Sequence, residues 1–506
     1  MDFWLIHYGC ASHLTPNAIP EGAGTTHQIA LSLTSSPAGH QQGGEQGSRR
    51  NSKSNCQLLG CVHNYDNRFL GRNVAPKRRN LTVSSIFEPD FAMSNSNTTA
   101  ERAVHIGVKA EVRTEVRNLP ASKSISNRAL ILDALAGGKS VLRHLSEAND
   151  TRLMRELIGS ESPLIDVQDA GTTMRFLTAY FAVTGMRKTL TGTPRMQQRP
   201  IGILVDALRT LGAVIHYRNR EGYPPIETAG FEGQKVDRLS IRGDVSSQFI
   251  SALLMVAPSL PQGLTLELTG KVGSRPYIEM TAALMAQFGV KAEIEDNIIR
   301  VAPQAYHPTE LTVESDWSGA SYWFAFAALA RDADIRLPRL YEKSWQGDRV
   351  VRDLMEALGV RSVTEGDMLR LISRESVRSF NWDFTHSPDL AQTIAVVCAA
   401  KGIEATFSGL ESLRIKETDR IYALQQELRK IGADLEEQGS RWQLRPSSSL
   451  PESAAFNTYE DHRMAMAFAP LATRMNVTIF NPLVVRKSYP GFWLDMEEAG
   501  FTVSQS

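Results

Sequence analysis

Apolar residues along the chain predict a regular alternation of strands and helices. From Val104 onward, strand-like runs alternate with helices, and several helices end at a glycine that is followed directly by a strand. Glycine readily adopts the left-handed conformation that terminates a helix. These glycines recur about every 72 residues, which indicates an internal repeat. They are Gly212, Gly289, Gly359 and Gly432, with Gly500 as a less regular member.

A second series of helices keeps nearly the same spacing and is apolar almost all round, which predicts burial. Each begins with polar residues, so the helix starts form a ring of potential anion sites. Two helices per repeat with strands between them predict α/β units of about 70 residues, about six in all. The polar starts are Ser246-Ser247-Gln248, Ser318-Gly319-Ala320, Asp389-Leu390-Ala391 and Asp461-His462-Arg463.

Residues 1 to about 103 lack this pattern and are rich in Ser, Asn, Gly, Gln and His. This composition is typical of a disordered segment. Three origins stay open: an organellar transit peptide, a regulatory tail, or an upstream stretch included by a wrong start codon. Transit peptides are rich in Arg and Ser and poor in acids, which the segment matches only in part. Met93 would be the true start in the third case.

Composition excludes some partners without naming a function. Fifty-five basic side chains balance fifty-five acidic ones in 506 residues, so no global field favours nucleic acid or an anionic membrane. No apolar run reaches the ~18 residues of a membrane span. Four scattered cysteines favour a reducing compartment and give no zinc spacing. We expect a cytoplasmic protein without a metal, or a plastid protein if the extension is a transit peptide. The cysteines are Cys10, Cys56, Cys61 and Cys398.

The stretch from Lys416 to Arg420 combines two cations and two carboxylates at the start of an amphipathic helix. If the helix of residues 419–430 extends back to Lys416, then Lys416 and Arg420 share one face and Glu417 lies beside Arg420. One anion could then contact both cations while the carboxylate moves a proton. The alternative is a solvated helix start with acids at the positive end of the helix dipole.

Further polar stretches could bind anions at helix starts or after strands. Alone, each is as readily an ordinary cap or a surface ion pair, and Asp389 is explained equally well as an N-cap. Serine hydroxyls and arginine forks nevertheless suit phosphate and carboxylate oxygens. The stretches are Lys123-Ser124 with Arg128, Ala170-Gly171-Thr172, Arg195 with Arg199, Ser246-Ser247-Gln248, Ser274, Asp461-His462-Arg463 and Lys487.

Taken in order, these motifs resemble the 5-enolpyruvylshikimate-3-phosphate synthases of the enolpyruvyl transferase family. The resemblance covers about Val104 to the C-terminus. It implies a two-domain inside-out α/β barrel with three βαβαββ repeats in each domain and an active site in the cleft. One domain would comprise residues 121–313, and the other residues 104–120 together with 314–506. The repeat of about 72 residues agrees with this independently.

The resemblance implies a reaction of the shikimate pathway to chorismate and the aromatic amino acids. The enolpyruvyl group of phosphoenolpyruvate moves to the 5-hydroxyl of shikimate 3-phosphate and phosphate leaves, without a cofactor, in an expected monomer. C3 must be protonated as the hydroxyl attacks C2 and deprotonated afterwards, which one acid/base can do. Glu417 is the implied C3 acid/base, Asp389 with Lys416 would activate the hydroxyl, and Lys123 is the fourth catalytic residue.

Ligand contacts follow from the resemblance position by position, and two residues are assigned to both substrates. The implied phosphoenolpyruvate ligands are Lys123, Gly171, Arg195, Gln248, Arg420, Arg463 and Lys487. The implied shikimate 3-phosphate ligands are Lys123, Ser124, Arg128, Ser246, Ser247, Gln248, Ser274, Asp389, Ser412 and Lys416.

The sequence departs from the family pattern at a few positions. Asp169 stands where many members carry Asn, Ser412 where Asn is frequent, and Phe176 where Pro is common. The stretch 159–169 is shorter than usual. These departures put edge contacts in doubt. Gly171 lacks the extra methyl group that in this family crowds out glyphosate, so we expect inhibition by that compound.

Two alternatives remain from the sequence. The sister transferase that acts on UDP-N-acetylglucosamine usually carries a cysteine in a mobile loop, whereas Cys398 lies in an apolar helix. A non-catalytic binder of phosphorylated metabolites on the same scaffold would keep the cations but could dispense with Glu417 and Asp389.

Overall fold

The computed structural model describes residues 102–506. The predicted disordered extension and Cys10, Cys56 and Cys61 therefore lie outside the described residues. The strands are β1 (Ala103–Ile106), β2 (Glu111–Glu115), β3 (Val141–Arg143), β4 (Leu164–Asp166), β5 (Lys188–Thr191), β6 (Ala213–Tyr217), β7 (Ile226–Phe231), β8 (Arg238–Arg242), β9 (Leu264–Thr269), β10 (Ala292–Glu295), β11 (Ile298–Val301), β12 (Glu310–Thr312), β13 (Asp332–Pro338), β14 (Val360–Glu365), β15 (Met368–Ser373), β16 (Ser379–Asp383), β17 (Glu404–Ser408), β18 (Asp434–Gln438), β19 (Arg441–Arg445), β20 (Ser453–Phe456), β21 (Asn476–Phe480) and β22 (Val503–Gln505).

Helices alternate with these strands through the described part of the chain. They are α1 (Lys123–Leu135), α2 (Asn149–Ile158), α3 (Gly171–Val183), α4 (Gly202–Leu211), α5 (Ser247–Val256), α6 (Arg275–Gln287), α7 (Trp317–Leu329), α8 (Val351–Ala357), α9 (Ala391–Lys401), α10 (Arg420–Arg429), α11 (His462–Phe468) and α12 (Phe492–Glu498).

The predicted α/β fold is confirmed, and its repeating unit is a four-stranded sheet with two helices. In one unit, β4 pairs in parallel with β5, and the antiparallel hairpin of β6 and β7 completes the sheet in the order β4-β5-β7-β6. The same plan recurs in the sheets built on β8, β16, β20 and β2. In the β20 sheet, β1 and β22 form the antiparallel pair, and β2 opens the sheet of β13, β15 and β14. Both ends of residues 102–506 thus join the same sheet.

The sixth unit is smaller than the βαβαββ repeat expected from the sequence. Its sheet contains only the parallel strands β3 and β12. The chain passes from the end of α2 at Ile158 to the start of β4 at Leu164 without a hairpin. The short stretch noted between residues 159 and 169 is therefore the place where the closing pair of strands is missing.

The two helix series differ in burial as their sequence patterns predict. The helices α1, α3, α5, α7, α9 and α11 are largely buried, and in α7 every residue except Ser318 is buried. The helices between them, such as α4, bury one face only. The predicted glycines follow the outer helices with positive φ, from +79° to +117°. They are Gly212, Gly289, Gly359, Gly432 and Gly500.

Buried apolar side chains form two separate cores. The first core draws on residues 121–313, and the second core on residues 104–119 and 317–501. Within residues 102–506, no helix is long and apolar enough to cross a membrane. The six buried helices all begin near one cavity, which places their N-terminal ends around a common space.

Candidate active site

A cavity of about 690 Å³ lies where the buried helices begin. It is lined by first-turn or cap residues of α1, α3, α5, α7 and α11, and by the turn before α9. Free backbone N–H groups and the helix dipole make such ends favourable for anions. The sequence-predicted residues that line it are Lys123, Ser124, Arg128, Gly171, Ser246, Ser247, Gln248, Ser274, Asp389, Ser412, Lys416, Glu417, Arg420 and Arg463.

Arg128 forms one side of the cavity and is held by neutral groups. Its Nε donates to Thr281 Oγ1 at 2.7 Å and its Nη2 donates to Ser251 Oγ at 3.0 Å. Burial lowers the pKa of this guanidinium to about 10, which still leaves it charged. Within residues 102–506, no carboxylate forms an ion pair with Arg128. Its positive charge is therefore available to an anion in the cavity.

Hydroxyl and amide groups lie near Arg128 at the start of α5. Ser246 caps this helix, because its side chain accepts a hydrogen bond from the backbone N–H of Gln248. The side chain of Gln248 reaches α3, where its Nε2 donates to Thr172 Oγ1 at 3.0 Å. Ser274 precedes α6 with φ of +53°. This region offers several neutral donors and the dipole of one helix to an anion.

Arg420 joins three carboxylates at the opposite side of the cavity. Its Nε donates to Asp461 Oδ2 at 2.6 Å and its Nη1 donates to Asp389 Oδ1 at 3.0 Å. Its Nη2 donates to Glu417 Oε2 at 2.8 Å. Asp389 also binds Arg463 at 2.8 Å. The network fixes both predicted catalytic carboxylates relative to two guanidinium groups.

The helix considered over residues 419–430 does not extend back to Lys416. Asp419 caps α10 by accepting from the backbone N–H of Tyr422, so the helix begins at Arg420. Lys416 is extended, with φ of −83° and ψ of −152°. The predicted neighbourhood of Glu417 and Arg420 is nevertheless present, because the turn before the cap folds back over the first helical residue.

Asp389 does not cap its helix. It lies in a single turn of 3-10 helix, Pro388–Leu390, ahead of α9, and α9 has no side-chain cap. Burial raises the pKa of its carboxyl, but Arg463, Lys416 and Arg420 outweigh this and hold the pKa well below its usual range. Tyr277 also donates its hydroxyl to Asp389 Oδ2 at 3.3 Å. The carboxylate of Asp389 therefore faces the cavity and does not cap the backbone of α9.

Glu417 lies between cations from both cores. Its Oε1 is 3.7 Å from Lys487 Nζ and 3.9 Å from Arg199 Nη1. Burial raises the pKa of its carboxyl, but Arg420, Lys487 and Arg199 more than offset this, so the pKa is well below the ordinary value. Burial lowers the pKa of the neighbouring Lys416, and Asp389 opposes part of that change. The site thus holds an ionised carboxylate beside an ammonium that is easier to deprotonate than usual.

Of the two arginines around the turn Met196–Gln198, only Arg199 lines the cavity. Arg195 is exposed, and it donates to the backbone carbonyls of Glu417 at 3.0 Å and of Lys416 at 3.1 Å. Arg199 is 9% exposed, and its Nε has no hydrogen-bond partner. An arginine that is buried and incompletely paired is the better anion ligand. Arg199 therefore lines the cavity, whereas Arg195, which the sequence predicts to bind phosphoenolpyruvate, contacts the backbone of residues 416 and 417 at its rim.

Lys487 lies at the edge of the cavity beside Glu417. Its Nζ donates to the carboxylate of Asp169 at 2.6 Å and to the backbone carbonyl of Asp169 at 2.9 Å. The lysine side chain is 7% exposed. Asp169 is one of the positions where the sequence departs from the family pattern. Its carboxylate pairs with Lys487, which the sequence predicts to bind phosphoenolpyruvate.

Several lining residues were not predicted as ligands. Asp150 pairs with Lys123 at 3.3 Å, and Asp316 accepts the backbone N–H of Lys123. Tyr277 lies three residues after Ser274, within a stretch that the sequence already singled out. Asp316 could have been found as an N-cap before an apolar helix, whereas the pairing of Asp150 depends on tertiary contacts alone. Among the residues described, no group of three or more His, Cys, Asp or Glu is arranged to hold a metal ion.

The α/β repeats meet at a cavity in which buried carboxylates lie among cations, an arrangement suited to acid–base chemistry on an anionic substrate. The EPSP synthase (3-phosphoshikimate 1-carboxyvinyltransferase) family profile matches residues 107–160 and 160–496. The chain belongs to this family.

Individual relatives agree. A 3-phosphoshikimate 1-carboxyvinyltransferase from Bacteroides fragilis is 48% identical over 390 residues, which cover 76% of this chain and 95% of that protein. One from Salmonella heidelberg is 38% identical over 408 residues, covering 74% and 94%. The solved EPSP synthase of Acinetobacter baumannii, at 20% identity, covers 80% of this chain and 100% of its own with a TM-score of 0.66, which supports the fold.

Proposed function

We propose that the chain transfers the enolpyruvyl group of phosphoenolpyruvate to the 5-hydroxyl of shikimate 3-phosphate and releases phosphate. The observation that carries this is the position of Glu417, which contacts Arg420 and lies near Arg199 and Lys487 at the cavity wall. A carboxylate surrounded by three cations fits an anionic substrate that must gain and lose a proton. The family name of the chain and of its relatives supports the same reaction.

Shikimate 3-phosphate fits the side of the cavity formed by α1, α5 and α6. Ser246, Ser247 and Ser274 would donate to the phosphate oxygens at the start of α5, where the helix dipole favours negative charge. Arg128 and Ser124 would hold the carboxylate, because Arg128 is not paired with an acid in this part of the structure. The acceptor hydroxyl would then face Asp389, with Lys416 and Ser412 on the same wall.

Phosphoenolpyruvate fits the cations around Glu417. Arg199, Arg420, Arg463 and Lys123 line this part of the site, and Lys487 lies beside Glu417. Gly171 leaves room for the guanidinium of Arg199 at the start of α3. Gln248 bridges the two subsites through its contact with Thr172. Arg195 would act indirectly, because its side chain holds the backbone carbonyls of residues 416 and 417 in place.

The charges suggest how Glu417 can act as an acid. The cations hold the pKa of Glu417 well below its ordinary value, so this carboxyl is ionised at neutral pH. Bound phosphoenolpyruvate brings its own negative charge, cancels part of the cationic field and raises the pKa of Glu417 toward the working range. Asp389, with the help of Lys416, would accept the hydroxyl proton and later release it to the departing phosphate. Glu417 would deliver a proton to C3 and remove one when phosphate leaves.

The remaining features of the proposal concern organisation. The two cores support one domain of residues 121–313 and another of residues 104–120 with 314–506. A functional monomer is part of the proposal. Cytoplasmic action is part of the proposal, with a plastid location if residues 1–103 act as a transit peptide.

The rival that uses UDP-N-acetylglucosamine has less support. Cys398 is 0% exposed within α9, and burial raises the pKa of its thiol. A buried neutral thiol cannot serve as a reactive loop cysteine.

The deciding experiment is phosphate release with phosphoenolpyruvate and either shikimate 3-phosphate or UDP-N-acetylglucosamine, using the full chain and a form that starts at Met93. Release with the shikimate ester alone supports the proposal, and release only with the nucleotide sugar contradicts it.

A further inference from the structure

Asp169 forms a salt bridge between the two halves of the site. Its carboxylate lies in the turn before α3, and its partner Lys487 ends the 3-10 segment Pro482–Lys487. The two residues are 318 positions apart in sequence. Asp169 belongs to the part that supplies the first core, whereas Lys487 belongs to the part that supplies the second.

Most of the hydrogen-bonding capacity of Lys487 is already used. A lysine ammonium has three N–H donors. Two are given to Asp169, at 2.6 Å to its carboxylate and at 2.9 Å to its backbone carbonyl. Glu417 Oε1 is 3.7 Å away, beyond hydrogen-bond distance. A ligand that approaches Lys487 therefore meets an ammonium whose charge is largely balanced.

The pair is asymmetric in its exposure. The Lys487 side chain is 7% exposed, whereas that of Asp169 is 44% exposed. The carboxylate can thus swing into solvent at small desolvation cost, while the ammonium remains in the site. Asp169 also stands two residues before Gly171, where α3 begins beside Arg199. An incoming anion must displace this carboxylate or be repelled by it.

We propose that Asp169 is an affinity-determining residue that competes with phosphoenolpyruvate for Lys487 and so weakens binding of this substrate. This inference rests on the proposed function. It predicts that Asp169 affects KM for phosphoenolpyruvate and not the acid–base steps, because its carboxylate contacts Lys487 and neither Asp389 nor Glu417. If Asp169 instead oriented Lys487 for the ligand, removing its charge would weaken binding.

The test is Asp169→Asn in the full chain, which preserves the shape and an acceptor oxygen while removing the charge. The matched control is Asp166→Asn. Asp166 is exposed, and its carboxylate accepts a hydrogen bond from the backbone N–H of Gln168. Its replacement by Asn changes the net charge by the same amount. Initial rates of phosphate release give kcat and both KM values for each protein at constant ionic strength.

We expect Asp169→Asn to lower KM for phosphoenolpyruvate by about fivefold, with kcat and KM for shikimate 3-phosphate within about twofold of wild type. Asp166→Asn should leave all three constants within about twofold. An unchanged or higher KM for phosphoenolpyruvate in Asp169→Asn, or an equal decrease in the control, overturns the inference. A wild-type chain without phosphate release overturns the proposed function instead, so the two failures are distinguishable.

Discussion

A methyl group added at Gly171 would lie 2.6 Å from Nη1 of Arg199. Gly171 is the first residue of α3, and Arg199 is the buried, incompletely paired arginine of the cavity. Because that distance is shorter than a normal contact, any side chain at this position must push the guanidinium away. The size of the residue at position 171 therefore determines where the guanidinium of Arg199 can lie in the cavity.

Gly171→Ala should weaken the binding of both phosphoenolpyruvate and glyphosate, and it should weaken the binding of glyphosate more strongly. The displaced Arg199 costs the substrate part of a charged hydrogen bond, so KM should rise roughly tenfold. The wild-type chain should be inhibited by glyphosate in competition with phosphoenolpyruvate, and the variant should need at least roughly tenfold more inhibitor. Dose series at fixed substrate concentrations measure both effects. A wild-type chain that keeps full activity at high glyphosate concentrations would refute the expected sensitivity.

Arg199 and Arg195 should differ in how much each contributes to kcat/KM for phosphoenolpyruvate. Arg199→Ala removes a guanidinium from the cavity wall and should lower kcat/KM for phosphoenolpyruvate by roughly 30-fold or more. Arg195→Ala loses only contacts to two backbone carbonyls from an exposed position and should cost less than about tenfold. Steady-state kinetics of the two variants side by side decide the matter. A larger loss for Arg195→Ala would favour the direct contact with phosphoenolpyruvate that the sequence predicts for Arg195.

Sequence patterns predicted the fold well because each repeat is specified locally. Apolar helices and glycine ends occur in every unit, so their spacing alone indicated six α/β units. The absence of a hairpin before β4 is visible in the sequence only as the shortness of the stretch between residues 159 and 169. Neither this pattern nor composition could show which unit would be incomplete, because the parallel pair of β3 and β12 brings together strands from the two ends of residues 121–313.

The sequence indicates which residue types gather at the site, but the position of each side chain depends on local turns that the sequence pattern does not specify. The choice between Arg195 and Arg199 depends on a single turn of 3-10 helix, Met196–Gln198, that turns one arginine into the cavity and leaves the other at its rim. The helix does not extend back to Lys416, because the side chain of Asp419 caps it three residues later. Charge pairing between distant segments, such as Lys487 with Asp169, cannot be read from either segment alone.

Glu417→Gln should keep ligand binding and lose most turnover. The amide retains the shape and can still contact Arg420, but it cannot deliver a proton to C3 at neutral pH. We expect kcat to fall by at least about 100-fold, while binding of shikimate 3-phosphate measured by calorimetry stays within about threefold. Glu404→Gln, at the exposed start of β17, is the control and should behave as wild type. Undiminished phosphate release from Glu417→Gln would exclude this carboxylate as the proton carrier.

Asp348 should make the protein less stable as the pH rises toward neutrality. Its carboxyl is buried behind the cavity, where it contacts the hydroxyl of Ser318 and faces Asp389, Arg463 and Asp316. Burial, reinforced by the negative charge of Asp389, raises its pKa from 3.8 to about 7. The folded state therefore keeps a proton that the unfolded chain releases, so this group lowers stability from about pH 4 to about pH 7 and adds no further loss above that.

Asp348→Asn removes this titration while preserving the size of the side chain. The Tm of the variant minus that of wild type should increase by about 2–5 °C between pH 5 and pH 8. Thermal unfolding at both pH values, with ligand-free protein in buffers of equal ionic strength, measures the difference. Asp353→Asn in α8 provides an exposed control whose Tm difference should not vary with pH. A constant difference for Asp348→Asn would mean that this carboxyl is ionised in the folded protein throughout, with Arg463 compensating for its burial.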